Sequence, residues 1–446
     1  MSNIILYSQI SLVLTILLLY LMWKKYGIRT IIHPFSIFLF TWIPSFIVTP
    51  IYAKFNNNLF FFDKESVLEL YTFFLFNLAA IFIAMMIIPV NAKKTLLKID
   101  FYTPDKLFNW LSVFLLIINI INNVFNKGLN ILSNREIETE IGINILKTGT
   151  SSISFAIISI LNSLLTPLLI ISSKYILNKL MYGKNYNLPF YSVIPLTIVV
   201  MNTIWGGGRA AISSALITII VGGMLFYNYQ IPLKRLATKG LLFLAISFTL
   251  FSAYSSFIAE IRMKNIKGNV RYIFENPKLA FLNGVMEYSF WHIWGYQYRK
   301  NDVFTEVPDG LGGNTFGFIT NLNIPLSSQI GLNTNIGSLL QIEEVKKAKA
   351  RGAERITATV YFNLYDDLGY KGAFVAIFIF SLFTQFMFYR IVNQQINHII
   401  ALALYMFTYG LWQSSWFHHI LGTINLLSVF VPYLIYEILI IYYKKT

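Results

Sequence analysis

Apolar residues are not spaced along this chain at the interval of a surface helix or strand. They fill whole stretches of about twenty residues, separated by short polar connections. Eleven such runs are legible, at 4–23, 31–53, 67–90, 107–124, 151–173, 188–205, 210–228, 240–258, 370–389, 398–415 and 420–443. An α-helix of ~20 residues crosses the ~30 Å of a bilayer core. Strands of a membrane barrel would instead alternate in polarity over ~10 residues, and these runs do not. The pattern predicts an all-α, polytopic membrane protein with about eleven transmembrane helices.

One interruption is far longer than the rest. Ala259–Leu368 contains no run of spanning length, and it holds 11 of the 20 acidic residues. It reads as one large outer loop, dividing the chain into helices one to eight (1–258), the loop (259–368) and helices nine to eleven (369–446). Within it, Asn276-Pro277 and Pro308-Asp309-Gly310 break the chain. Lys278–Tyr298 reads as an aromatic-rich helix, with Tyr288, Trp291, Trp294, Tyr296 and Tyr298 suited to sugar faces or to a membrane interface. Glu343–Arg355 reads as a charged helix, with Arg351 and Arg355 one turn apart.

Composition supports the membrane reading and narrows the chemistry. The chain is 56% hydrophobic and 12% charged, about half the charge of a soluble domain, and its mean hydropathy is +0.60. It has no cysteine, which excludes disulfides, thiolate nucleophiles and cysteine-ligated metals. The net charge of +15 would suit nucleic acid, but its placement does not. Lys24, Lys25 and Arg29 follow run one, and Lys93, Lys94, Lys98 and Lys106 follow run three. Lys174, Lys179 and Lys184 follow run five, and Lys234, Arg235 and Lys239 follow run seven. Arg390 follows run nine, and Lys444 and Lys445 follow run eleven. Basic residues in short connections mark the cytoplasmic side. The N-terminus is therefore expected outside, the C-terminus inside, and the long loop outside. Met1–Trp23 lacks a basic start and a small-residue cleavage site, so it is expected to stay as the first span.

Candidate chemistry collects on the outer side. Arg209 ends the turn Trp205-Gly206-Gly207-Gly208-Arg209 between runs six and seven. A guanidinium there presents a fork that matches phosphate oxygens, and glycine backbone amides add anion-binding N–H groups. The plainer alternative is an arginine snorkelling to the interface. Arg262 stands about one turn beyond run eight. With Arg209, Arg271 and Arg299 it could complete a cationic ring, or these loop arginines could be ordinary charge paired with Glu260, Glu275 and Glu287. Arg351 and Arg355 form a second basic pair just before the chain re-enters the membrane, or, beside Lys346, Lys347 and Lys349, only a solvated face. His418 and His419 after run ten, or Asp366 and Asp367 before run nine, could take a proton from a hydroxyl. The alternatives are a histidine-bearing interfacial belt and a helix cap. Asp63-Lys64-Glu65 is a lone acid-x-acid pair, which does not establish a metal site, and no Gly-rich nucleotide loop is present. No metal and no cofactor are expected.

The chain resembles the oligosaccharide repeat-unit polymerases, the Wzy-type O-antigen and capsule polymerases. The resemblance covers the topology, the Gly-Gly-Gly-Arg outer turn, the late outer loop, and the stretch from Thr359-Val360-Tyr361 through Asp367-Leu368-Gly369-Tyr370-Lys371-Gly372. It implies a glycosyltransferase C-like membrane architecture in the bacterial inner membrane, with the N-terminus periplasmic. It implies a metal-independent glycosyltransferase acting on undecaprenyl-diphosphate-linked oligosaccharide in O-antigen or capsular polysaccharide synthesis. The growing glycan would pass from its lipid diphosphate to the terminal sugar of another lipid-linked repeat. The family's outer-loop arginines map best to Arg209, then to Arg262, Arg351 and Arg355. Membrane lipids and a chain-length regulator protein are the further partners implied, and nucleic acid is not one. O-antigen ligases look similar but carry a histidine shortly before the acidic residue, where this chain has Ile356-Thr357-Ala358-Thr359. A flippase would be expected to carry charges within its spans, and here Glu69 and Glu437 lie near span ends.

Overall fold

A computed structural model describes residues 2–55, 64–90, 105–127, 161–182, 189–206, 210–226, 238, 249, 360–393, 399–414 and 426–445. Among the described residues there is no strand, and ten α-helices account for most of them. They are α1 (Ser2–Tyr26), α2 (Pro34–Phe55), α3 (Lys64–Ile87), α4 (Asp105–Lys127) and α5 (Leu165–Tyr182), followed by α6 (Ile194–Gly206), α7 (Ala210–Leu225), α8 (Val360–Asn393), α9 (Ile399–Ser414) and α10 (Leu426–Lys445). They overlap ten of the eleven apolar runs. The run at 240–258 lies outside the described residues apart from Thr249.

Among the described residues, four stretches are long and apolar enough to cross a membrane: Asn3–Ile32, Glu65–Ile87, Asp105–Val124 and Leu368–Asn393. At 1.5 Å per residue, the 23 residues Glu65–Ile87 extend roughly 34 Å, enough for the ~30 Å hydrocarbon layer. Which side chains face out agrees with lipid as the solvent. On α1, Leu6, Val13, Ile16 and Leu17 are exposed, whereas Ser8, Ser11 and Thr15 are fully buried. Between membrane helices no difference in hydrophobicity drives association, so small and hydroxyl-bearing residues at the contact let backbones approach. Ser8 shows how: its Oγ donates to the Phe46 carbonyl at 2.7 Å and accepts from the Tyr71 hydroxyl at 3.3 Å. One serine thus ties α1 to α2 and α3.

The bundle is fastened at the end where α1 finishes. The Phe35 N–H donates to His33 Nδ1 at 3.2 Å, so the proton of a neutral imidazole sits on Nε2. That nitrogen donates to Gln385 Oε1 at 3.0 Å. The Gln385 amide nitrogen in turn donates to the Tyr26 hydroxyl at 3.2 Å and to the Ile88 carbonyl at 2.9 Å. Tyr405 donates to the Ile32 carbonyl, and Lys25 Nζ to the Met85 carbonyl at 2.8 Å. These bonds tie α1, α3, α8, α9 and the turn before α2 to one another, pairing polar groups that burial would otherwise penalise.

A second group of helices, α4 to α7, packs beside this one: α5 lies on α7, and α4 lies on α6. α5 runs past its apolar stretch to Tyr182 and carries Lys179 in its last turn. A cation there offsets the negative end of the helix dipole.

Candidate functional site at the hairpin of α8

The stretch that carries the family resemblance forms the first part of α8. Its backbone is not one straight rod. Gly369 has φ 66° and ψ 178°, a region open essentially to glycine alone. Tyr361 and Ser381 lie on either side of it, yet both bond to one side chain. Asn77 Nδ2 donates to the Tyr361 hydroxyl at 2.9 Å, and Asn77 Oδ1 accepts from Ser381 Oγ at 3.5 Å. In a continuous helix, twenty residues would separate them by about 30 Å. The chain therefore doubles back at Gly369.

Ring contacts agree. Phe73 lies 6.0 Å from Tyr361, 5.2 Å from Tyr370 and 4.9 Å from Phe374. Residues 360–368, assigned above to the loop, are helical and form a short arm within the bundle. Tyr361 is fully buried on it. Asn77 stands midway along the span Glu65–Ile87, so the arm reaches about half the depth of that span. The final motif glycine has its own reason. A Cβ on Gly372 would stand 2.8 Å from the Leu368 Cβ, so only glycine lets the arm close onto the helix it precedes.

A small cavity lies between the arm and the long part of α8. It is lined by Asn77, Val360, Tyr361, Leu364, Ile377, Phe380, Leu411 and Trp412, with about 20 Å³ free, room for one water molecule. Trp412 is anchored on one side, its Nε1–H donating to Thr384 Oγ1 at 2.6 Å. Tyr361 accepts the Asn77 bond, and its own hydroxyl proton remains available to a further acceptor.

Asp366 and Asp367 fall in the last turn of the arm, beside the reversal at Gly369; their side chains lie outside the described residues. Arg209, Arg262, Arg271, Arg299, Arg351, Arg355, His418 and His419 also lie outside them. Their flanks are placed. α6 ends at Gly206 and α7 starts at Ala210, so Arg209 closes a three-residue connection. His418 and His419 follow shortly after α9 ends at Ser414, and Arg355 precedes the buried Tyr361 by six residues. α6 and α7 pack against α4 and α5, whereas α8 packs against α3, α2 and α9. The described contacts therefore leave the helices that flank residues 207–209 and the α8 hairpin in different helix groups. Among the described residues there is no cluster of three or more histidine, aspartate or glutamate side chains that could hold a metal.

Sequence reasoning missed Asn77 and Trp412 as parts of this site, and it missed four asparagines elsewhere in the bundle, Asn119, Asn123, Asn162 and Asn202. Their signal was present: a carboxamide inside an apolar run is costly unless it has a partner. No family model matches the chain, and neither a curated protein nor a solved structure matches it significantly.

The Asn77–Tyr361 bond can be weighed directly. Asn77→Leu leaves a buried tyrosine hydroxyl without its donor and is expected to cost about 1–3 kcal/mol. Tyr361→Phe in the Asn77→Leu background should cost much less than either change alone would suggest, because both partners are then gone. Thermal unfolding of the four proteins in one detergent measures this, and strict additivity would show that the bond does not hold the arm.

Proposed function

We propose that this chain polymerises lipid-linked oligosaccharide repeat units at the outer face of the bacterial inner membrane, as an eleven-span protein with a periplasmic N-terminus and a cytoplasmic C-terminus. What carries the reading is the stretch from Tyr361 to Gly372. Its glycines have separate backbone reasons, Gly369 for the reversal and Gly372 for close approach. The two aspartates stand beside that reversal, at the other end of the arm from Val360, the point at which the long outer loop would join the bundle.

The chemistry assigned to the site is glycosyl transfer from a lipid diphosphate. The terminal hydroxyl oxygen of the acceptor repeat bonds to the anomeric carbon of the donor glycan. The bond from that carbon to the diphosphate oxygen breaks, and its electron pair leaves with the lipid diphosphate. The hydroxyl proton passes to a base drawn from Asp366, Asp367, His418 and His419. Negative charge grows on the departing diphosphate, and arginines placed to meet it supply the largest stabilisation such a step needs, without a metal. Arg209 is the first candidate, with Arg262, Arg271, Arg299, Arg351 and Arg355 as further members.

Deleting the chain in its host tests the class. The surface glycan should shrink from a ladder to single repeats on a gel, because units are still made, exported and attached. Loss of every repeat would sink this reading in favour of a flippase or an O-antigen ligase.

A further inference from the structure

α4 divides its faces in a way that packing alone does not require. Trp110, Phe114, Ile117 and Ile121 are exposed to the surroundings of the bundle. Ser112, Asn119 and Asn123 are turned inward at 0%, 1% and 1% exposure. Together with Asn109 they recur at helical spacing and make one polar strip along a membrane-crossing helix.

At the far end of the strip three segments bring carboxamides together. Asn123 Nδ2 donates to Asn202 Oδ1 on α6 at 2.7 Å, and Asn202 Nδ2 donates to Asn119 Oδ1 at 2.7 Å. Asn119 Nδ2 uses both of its N–H groups, donating to Asn162 Oδ1, in the helical turn before α5, at 2.7 Å and to the Leu115 carbonyl at 2.8 Å. Each carboxamide offers two donors and two lone pairs, so these bonds use only part of what the cluster holds. Towards the opposite, Asp105 end of the same face, the buried oxygens Ser112 Oγ and Asn109 Oδ1 have no hydrogen-bond partner among the described residues. A polar atom left unpaired in a low-dielectric interior is strongly disfavoured. The strip therefore has capacity for hydrogen-bonding groups beyond those that the described residues provide.

The chemistry of the strip limits the ligand. The strip residues named here carry no formal charge, which argues against phosphate or a cation, while uncharged amides and hydroxyls suit the hydroxyls of a neutral sugar. Its position limits it too. Asn202 is four residues before Gly206, the end of α6, after which the Arg209 turn begins. Asn123 is four residues before Lys127, the end of α4.

We infer that Asn119, Asn123, Asn162 and Asn202 form a binding site for the hydroxyls of a neutral sugar, the terminal residue of the acceptor glycan. The word "acceptor" rests on the polymerase reading; the sugar site rests on the geometry of the strip. The test uses the full chain in lipid nanodiscs and the repeat-unit oligosaccharide released by mild acid from the host's own lipid-linked glycan. Titration should raise the unfolding temperature of the unchanged protein in a saturable way. Asn202→Ala and the milder Asn123→Ser are each expected to weaken that binding about tenfold, the size of one lost hydrogen bond. If the unchanged protein shows no saturable binding, the site does not exist. If a folded variant is less stable but binds equally well, the asparagines are interhelical packing only and the inference fails. Should binding depend on the asparagines while the chain makes no polymer, the sugar site stands and the polymerase reading falls.

Discussion

Gly369→Ala is expected to cost this protein about 1–3 kcal/mol, the range for a residue forced into a sparsely allowed backbone region. Native proteins are stable by only ~5–15 kcal/mol, so the folded yield should fall visibly. The cost does not come from crowding. A Cβ at Gly369 would meet nothing within 4 Å, and the penalty lies wholly in φ 66° with ψ 178°. Relief is available only if the backbone rotates, and rotation there swings the arm 360–368 away from α3. The Asn77–Tyr361 bond and the Phe73–Tyr361 contact would then be lost together. Gly369→Ala and Asn77→Leu should consequently be strongly non-additive in thermal unfolding, since the second change removes what the first has already broken. Gly372→Ala acts by the other route, forcing the Leu368 Cβ away from 2.8 Å, and overpacking of that kind costs ~1–3 kcal/mol. Wild-type unfolding behaviour in Gly369→Ala would show that the reversal is not required.

The helices were legible because membrane spans need only be apolar and long enough, and Asn3–Ile32, Glu65–Ile87, Asp105–Val124 and Leu368–Asn393 meet both conditions. What the pattern could not give was direction. Val360–Leu368 mixes Tyr361, Leu364 and Tyr365 with Asn363, Asp366 and Asp367, and such a mixture fits an outer loop as well as an arm turned back into the bundle. The sign of φ at Gly369 decides between them, and a one-dimensional sequence does not carry that sign. Asn77 was hidden for a related reason. It is a lone amide in an apolar run, and its partners Tyr361 and Ser381 lie hundreds of residues away. The strip on α4 could have been read, since Asn119 and Asn123 are one turn apart in an otherwise apolar helix. A count of charges passes over it because carboxamides carry none. Nothing in the apolar pattern singles out His33 or Gln385, which together join α1 to α8.

Arg209→Ala is expected to collapse the surface-polysaccharide ladder to short glycans, with turnover falling by about 10²-fold or more, the scale of removing one group that stabilises developing charge. The folded protein should persist at normal levels. α6 ends at Gly206 and α7 begins at Ala210, so the change falls in a three-residue connection, and arginine is not one of the residue types that cap a helix N-terminus. Arg209→Lys separates two explanations that alanine alone leaves joined. Lysine keeps the charge but loses the planar fork that meets two phosphate oxygens at once. A ladder restored by lysine would show that position 209 supplies only a general positive potential. A ladder that stays short would show that the diphosphate is gripped through paired hydrogen bonds. Long chains persisting undiminished in Arg209→Ala, at wild-type protein levels, would remove Arg209 from the site and shift the search to the arginines flanking the α8 hairpin, Arg351 and Arg355.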